Sequence, residues 1–176
     1  SDILREMPCA DFVLYGEIEK SWVEFLSKFH TPQKWPEIDG LCYRDKAGNI
    51  KINKEPDVMV NLDDMLLPSW HLYDFSLYRP LPFQSKGGPF FTLITSRGCA
   101  YAKCAFCYQA GRKKQPYRRH SPARVVKEIK ILHDLYGVNN IAFWDDTFST
   151  QTDWLEEFRR LLIGENLRIY WTCSTK

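Results

Sequence analysis

Apolar residues along this chain change their spacing several times, and each change predicts an element. DFVLYGE is a short apolar run closed by Gly16, and behind it Ile18, Trp22, Phe25, Leu26 and Phe29 recur at helical spacing, so a strand followed by an amphipathic helix is expected. That helix stops near Phe29 and His30, ahead of Pro32 and Pro36, and IDGLCYRDKAGNIKINKEP then reads as a hairpin turning at Asp45 to Gly48. The next stretch has no sustained period and five prolines from Pro56 to Pro89, the pattern of a linker that packs by its aromatic residues.

From Phe90 the pattern is that of a parallel α/β layer. FFTLIT and IAFW are continuous apolar runs, the type buried on both faces of a parallel sheet, and RIYWTC supplies a third strand. Between them, Ser121 and Pro122 open a helix with Val125, Ile129, Leu132 and Tyr136 on one stripe and Gly137 at its end. A second helix presents Trp154, Phe158, Leu161 and Leu162 and stops at Gly164. The order βαβαβ implies parallel strands joined by right-handed crossovers. The fold class is therefore α/β, and loops leaving the carboxyl ends of the strands share one rim, where function concentrates.

Composition adds limits to this outline. The 176 residues are 44% hydrophobic and 15% aromatic, enough for one moderate core and not for a disordered chain. Lys and Arg exceed Asp and Glu by two, and this near balance gives no whole-chain argument for nucleic acid or an anionic membrane. The basic run GRKKQPYRRH, with Arg112, Lys113 and Lys114, reads as a solvated loop rather than an RNA footprint. SDILREMPCA lacks the features of a signal peptide and no run approaches the ~20 apolar residues of a membrane span, so a cytoplasmic location is expected.

The candidate chemistry lies in SRGCAYAKCAFCY, which sets Cys99, Cys104 and Cys107 on the loop after the first parallel strand. The connection from Ser96 to His120 is about 25 residues, far above the ~2–6 of an ordinary strand-to-helix loop, which marks a binding loop. Clustered cysteines in a reducing compartment point to metal rather than to disulfides. Cys104, Cys107 and His120 fit the first three ligands of a Cys2His2 zinc finger, but the fourth would fall on Arg124, Val125 or Val126. A structural Cys3His zinc site using Cys99 and His120 remains open, as does an iron–sulfur cluster with three protein thiolates and one iron left free. Cys9, Cys42 and Cys173 read as semi-buried thiols, and Cys173 lies at the rim.

SRGC followed by CAFC, after a first barrel strand, resembles the cluster motif of the radical S-adenosylmethionine (SAM) superfamily, with a first spacing of four residues where the superfamily usually has three. FVLYGEIEKSW, IDGLCYRDKAGNI, LPSWHLYDF, TSRGC, RRHSPARVVKEI and IAFWDDTF resemble, in that order, landmarks of its cobalamin-dependent branch, although Ile18 stands where the family more often has Gly. The resemblance implies that residues 1–35 end a Rossmann-like cobalamin-binding domain, 36–89 form a hairpin and a Pro- and aromatic-rich linker, and 90–176 begin a radical SAM (β/α) barrel of partial TIM type. Three strands do not close a barrel, so the chain is expected to be a segment of a longer protein. It implies a 4Fe–4S cluster on Cys99, Cys104 and Cys107, SAM chelated at the fourth iron, and reductive cleavage to a 5′-deoxyadenosyl radical, with C-methylation a common outcome. Phe106 would lie against the adenine, Asp145 and Asp146 would contact the methionyl amine or ribose, and Arg97 would bond the loop backbone or offset the cluster's charge. An electron donor such as a flavodoxin or ferredoxin is implied; the cobalamin-ligating motif would lie upstream of Ser1.

Overall fold

A computed structural model describes residues 2–111 and 115–175. The chain divides into two compact units, Ser1–Met59 and Val60–Lys176.

In the first unit, α1 (Asp2–Glu6) precedes β1 (Phe12–Leu14), α2 (Glu19–Lys28), β2 (Leu41–Arg44) and β3 (Ile50–Ile52). The hairpin forms where the sequence puts it, because the Asp45 carboxylate accepts hydrogen bonds from the backbone N–H groups of Ala47 and Asn49 and folds the turn. β1 pairs antiparallel with β2, Val13 opposite Cys42, so the strand and the hairpin share one sheet of order β1-β2-β3. The first compact unit accordingly runs on through the hairpin to Met59. Local pattern could not show this, because β1 meets its partner across about 30 residues of intervening chain. Phe25, Ile38, Leu41 and Tyr43 form the core here, with Phe12, Leu14 and Trp35 against them. Cys42 is buried, while Cys9 is exposed and not semi-buried as its apolar character suggests.

The second unit carries the parallel sheet, formed by β4 (Phe90–Leu93), β7 (Asn140–Phe143) and β8 (Tyr170–Cys173) in that order. Helix α3 (Pro122–Tyr136) joins the first pair and α4 (Thr152–Gly164) the second. The Ser121 hydroxyl accepts from the Arg124 backbone N–H at 3.1 Å, and Gly137, at φ 67°, ends α3 in the left-handed conformation that disfavours a Cβ. Val125, Ile129, Leu132, Phe158 and Leu162 from the helices pack on Phe91, Leu93, Ile141 and Phe143 from the strands. The helices cover only this face of the sheet. Thr92, Ile94 and Trp144 on the other are exposed, contrary to the two-sided burial that the apolar runs suggest, because both crossover helices lie on one side.

The Pro-rich segment before β4 folds in short 3-10 turns, Leu62–Asp64, Trp70–Leu72 and Phe75–Leu77, and joins the core by its aromatic residues. Trp70 meets Phe91 edge-on at 5.0 Å between ring centres, and Phe75 stacks on Tyr136 at 4.7 Å.

Candidate active site

The cysteine loop is closed at its base by a small ladder that the apolar pattern does not reveal. β5 (Ser96–Arg97) pairs antiparallel with β6 (Arg118–Arg119), and the His120 N–H donates to the Thr95 carbonyl at 2.8 Å, continuing the pairing. Gly98 follows at φ 77°, where a Cβ would come within 3.2 Å of the Pro116 carbonyl oxygen, so the two arms approach more closely than a side chain tolerates. The long loop therefore leaves the carboxyl end of β4 from a fixed root.

Within the loop, Cys99, Cys104 and Cys107 are all free thiols and all partly accessible. The Ala102 N–H points at Cys99 Sγ at 3.5 Å, and Thr147 Oγ1 lies 3.9 Å from the same sulfur. Hydrogen bonding from the Ala102 and Tyr101 backbone, opposed by burial, holds the Cys99 thiol below its ordinary pKa, which favours the thiolate that binds metal. The Cys107 N–H donates to the Cys104 carbonyl at 3.0 Å, folding the Cys-x-x-Cys half into a turn that runs into a 3-10 helix at Tyr108–Gly111. The donor set fits a thiolate-bound iron–sulfur cluster: three unpaired thiols on one rooted loop with backbone N–H groups at sulfur. Among the described residues no three His, Cys, Asp or Glu side chains form a site for a single metal ion, which is a tighter arrangement than the width of a cluster.

The two candidate carboxylates separate sharply. Asp145 is 3% exposed, and its carboxylate accepts from Thr95 N at 3.1 Å, from Thr95 Oγ1 at 2.9 Å and from the Ser96 hydroxyl. It ties the end of β4 to the end of β7. Asp146 faces outward, and its Oδ2 accepts from Gln109 Nε2 at 2.7 Å, bringing the far arm of the cysteine loop onto the β7 rim. Neither caps α4, whose N-cap is Gln151 with no side-chain hydrogen bond. Phe106 is 93% exposed at the loop's tip, free of the core. Arg97 lies in β5 at the root of the loop.

Two residues outside the candidate set organise the same region. The Arg119 guanidinium lies over the Trp154 ring at 3.4 Å and near Phe148 at 4.8 Å, its nitrogens buried without a hydrogen-bond acceptor among the described residues; burial lowers its pKa. His120 is held by Asp63, Nδ1 to Oδ1 at 3.2 Å, and the Ser121 N–H donates to the same oxygen at 2.9 Å. Burial pushes the Asp63 carboxyl up, but these hydrogen bonds outweigh it and leave it below its ordinary pKa. Burial lowers the His120 pKa despite Asp63. His120 is therefore engaged away from the cysteines, and the Cys3His zinc alternative finds no support. The basic run falls partly on Arg112, Lys113 and Lys114, which lie outside the described residues. Arg119 could have been suspected from the doublet RRH beside Ser121, but stacking on Trp154 depends on a contact across 35 positions of sequence.

Residues 93–175 match the radical SAM superfamily. That stretch of the chain belongs to it. An uncharacterized methyltransferase of Pyrococcus horikoshii is 33% identical over 98% of this chain and 36% of its own length. The chain spans about a third of the length of the curated relatives it matches. Among solved structures, the cobalamin-dependent SAM radical enzyme OxsB superposes with a TM-score of 0.69 at 22% identity, over 99% of this chain and 24% of that one. The radical SAM methyltransferase TsrM from Kitasatospora setae, solved with cobalamin and a [4Fe-4S] cluster, gives 0.54 at 20% identity, over 92% and 30%. No helix among the described residues is long and apolar enough to cross a membrane.

Proposed function

We propose that the protein is a cobalamin-dependent radical SAM enzyme, and that the reaction it catalyses is a C-methylation. The observation that carries this reading is the rooted loop with three free cysteines at the carboxyl end of the first parallel strand, docked on the rim of the second. Cys99, Cys104 and Cys107 would hold a 4Fe–4S cluster. When bound there, it supplies the electron that cleaves SAM and the open iron that orients it.

The chain's own residues would then act as follows. The Ala102 N–H steadies Cys99 as a thiolate. Phe106, exposed on the Cys-x-Phe-Cys turn, offers a ring face for the adenine. Asp146 offers a carboxylate to the ammonium or ribose of SAM; Asp145, already engaged by Thr95 and Ser96, would act there only through the strand end it holds. On this reading β4, β7 and β8 are the first three strands of a partial (β/α) barrel in a longer protein. Residues 1–35 end a Rossmann-like cobalamin-binding domain, to whose last strand the hairpin adds, and the segment up to residue 89 is the linker. A flavodoxin or ferredoxin would deliver the electron, in the cytoplasm.

Anaerobic reconstitution of the full-length protein tests it. The expected result is close to four irons per chain, by the composition of the cluster, with a broad visible charge-transfer band; both should be lost in Cys99→Ala, Cys104→Ala and Cys107→Ala. Stoichiometric zinc without that band would overturn it.

A further inference from the structure

The connection from β7 to α4 meets the cysteine loop at its start, in its middle and at its return. Thr147 Oγ1 lies 3.9 Å from Cys99 Sγ, where the loop begins. The Tyr117 hydroxyl lies 3.2 Å from Thr150 Oγ1, just ahead of β6. Between these, Gln109 Nε2 donates to Asp146 Oδ2 at 2.7 Å, two residues past Cys107. This contact joins the arm that carries Cys104 and Cys107 to the carboxylate proposed for SAM.

Asp146 is exposed, and its two oxygens are unequal. Oδ2 is taken by Gln109, whereas Oδ1 accepts no hydrogen bond among the described residues. An exposed aspartate samples about three staggered χ1 wells, and a hydrogen bond from a group fixed elsewhere selects one of them. Gln109 is such a group. It is half-buried in the 3-10 turn Tyr108–Gly111, which grows out of the Cys-x-x-Cys turn: the Cys107 N–H donates to the Cys104 carbonyl at 3.0 Å, and the Ala110 N–H to the Cys107 carbonyl at 3.1 Å. Its amide is neutral, so it orients the carboxylate without cancelling the charge. Asp146 therefore takes its aim from the backbone that holds two of the cysteines.

We propose that Gln109 is a positioning residue for SAM: it fixes Asp146 in one rotamer, with Oδ2 held and Oδ1 left to accept from the ammonium or a ribose hydroxyl. The role rests on the radical SAM reading; the contact itself does not. One local structure then sets both the cysteine turn and the SAM carboxylate. With Gln109 removed, Asp146 is aimed correctly about a third of the time, and the apparent affinity for SAM falls by that fraction. A glutamate at position 109 would set like charge against Asp146 and turn it away, so its effect should be larger.

The test uses the full-length protein in two states. Without iron, hydrogen exchange at the Ala110 amide, relative to its intrinsic rate, should quicken several-fold in Gln109→Ala and likewise in Asp146→Ala, since each removes one end of the same contact. Unchanged exchange in either variant overturns the proposal. With the cluster reconstituted, equilibrium dialysis should show SAM binding about threefold weaker in Gln109→Ala and weaker still in Gln109→Glu, at wild-type iron content and melting temperature. In an Asp146→Ala background, Gln109→Ala should weaken SAM no further, whereas a side chain that only braces the loop would weaken it equally in both backgrounds. Equal loss in both, no loss, or tighter binding in Gln109→Ala each overturns the role while a normal cluster and SAM affinity in wild type leave the radical SAM reading standing. Wild type that takes up neither iron nor SAM, with the exchange effect intact, removes that reading and the role with it.

Discussion

Replacing Asp145 by Ala should destabilise the protein, not merely disarm it. The substitution strands three donors, the Thr95 N–H, the Thr95 hydroxyl and the Ser96 hydroxyl, at residues only 1% and 5% exposed. A buried donor left without its partner costs roughly 1–3 kcal/mol. The backbone N–H cannot turn away, whereas the two hydroxyls can rotate toward other acceptors, so the sum comes to about 3–5 kcal/mol. The melting temperature of the unit that holds Asp145 should fall, by less per kcal/mol the longer the cooperative unit. The assay is anaerobic thermal denaturation of the full-length variant followed by circular dichroism, with SAM binding measured on the same preparation well below its transition. Asp146→Ala is the control, since its carboxylate is exposed and among the described residues bonds only Gln109; melting should be unchanged, and SAM binding about tenfold weaker if that carboxylate meets SAM. An Asp145→Ala protein that melts with wild type but has lost SAM would refute the reasoning, and would return Asp145 to the cofactor.

Phe106→Ala should leave melting untouched, because the ring is 93% exposed, and should weaken SAM binding several-fold in dialysis; unchanged SAM affinity would remove the ring from the cofactor site. The His120 pKa is lowered by burial, so the unfolded chain takes up its proton first as pH falls. Its contribution to stability is full above the unfolded value of about 6.5 and is lost as pH drops through the lower folded value. Denaturant midpoints measured from pH 8 to pH 5 should therefore decline for wild type, and the decline should be shallower in His120→Gln; parallel curves would show that His120 is not the titrating group.

Where information is local in the chain, the sequence was sufficient. The Ser121–Pro122 start and Gly137 stop of α3, the Asp45 turn, the stripe of α4 and the three apolar strands each depend on residues a few positions apart, and steric and hydrogen-bonding preferences decide them without tertiary help. The βαβαβ order then left parallel pairing as the sterically accessible arrangement, and so the rim on which the cysteine loop stands. What only the tertiary structure decided are contacts across long separations. It alone distinguishes Asp145 from Asp146, neighbours of identical chemistry, because strand alternation turns one inward to Thr95 and Ser96 and the other outward to Gln109. The same holds for β1 joining the hairpin, for Arg119 settling on Trp154, and for the Lys86 N–H bonding Asn140 at the start of β7. No local preference encodes such pairings; each exists because packing the rest of the chain brings together groups that hydrogen-bond or bury well.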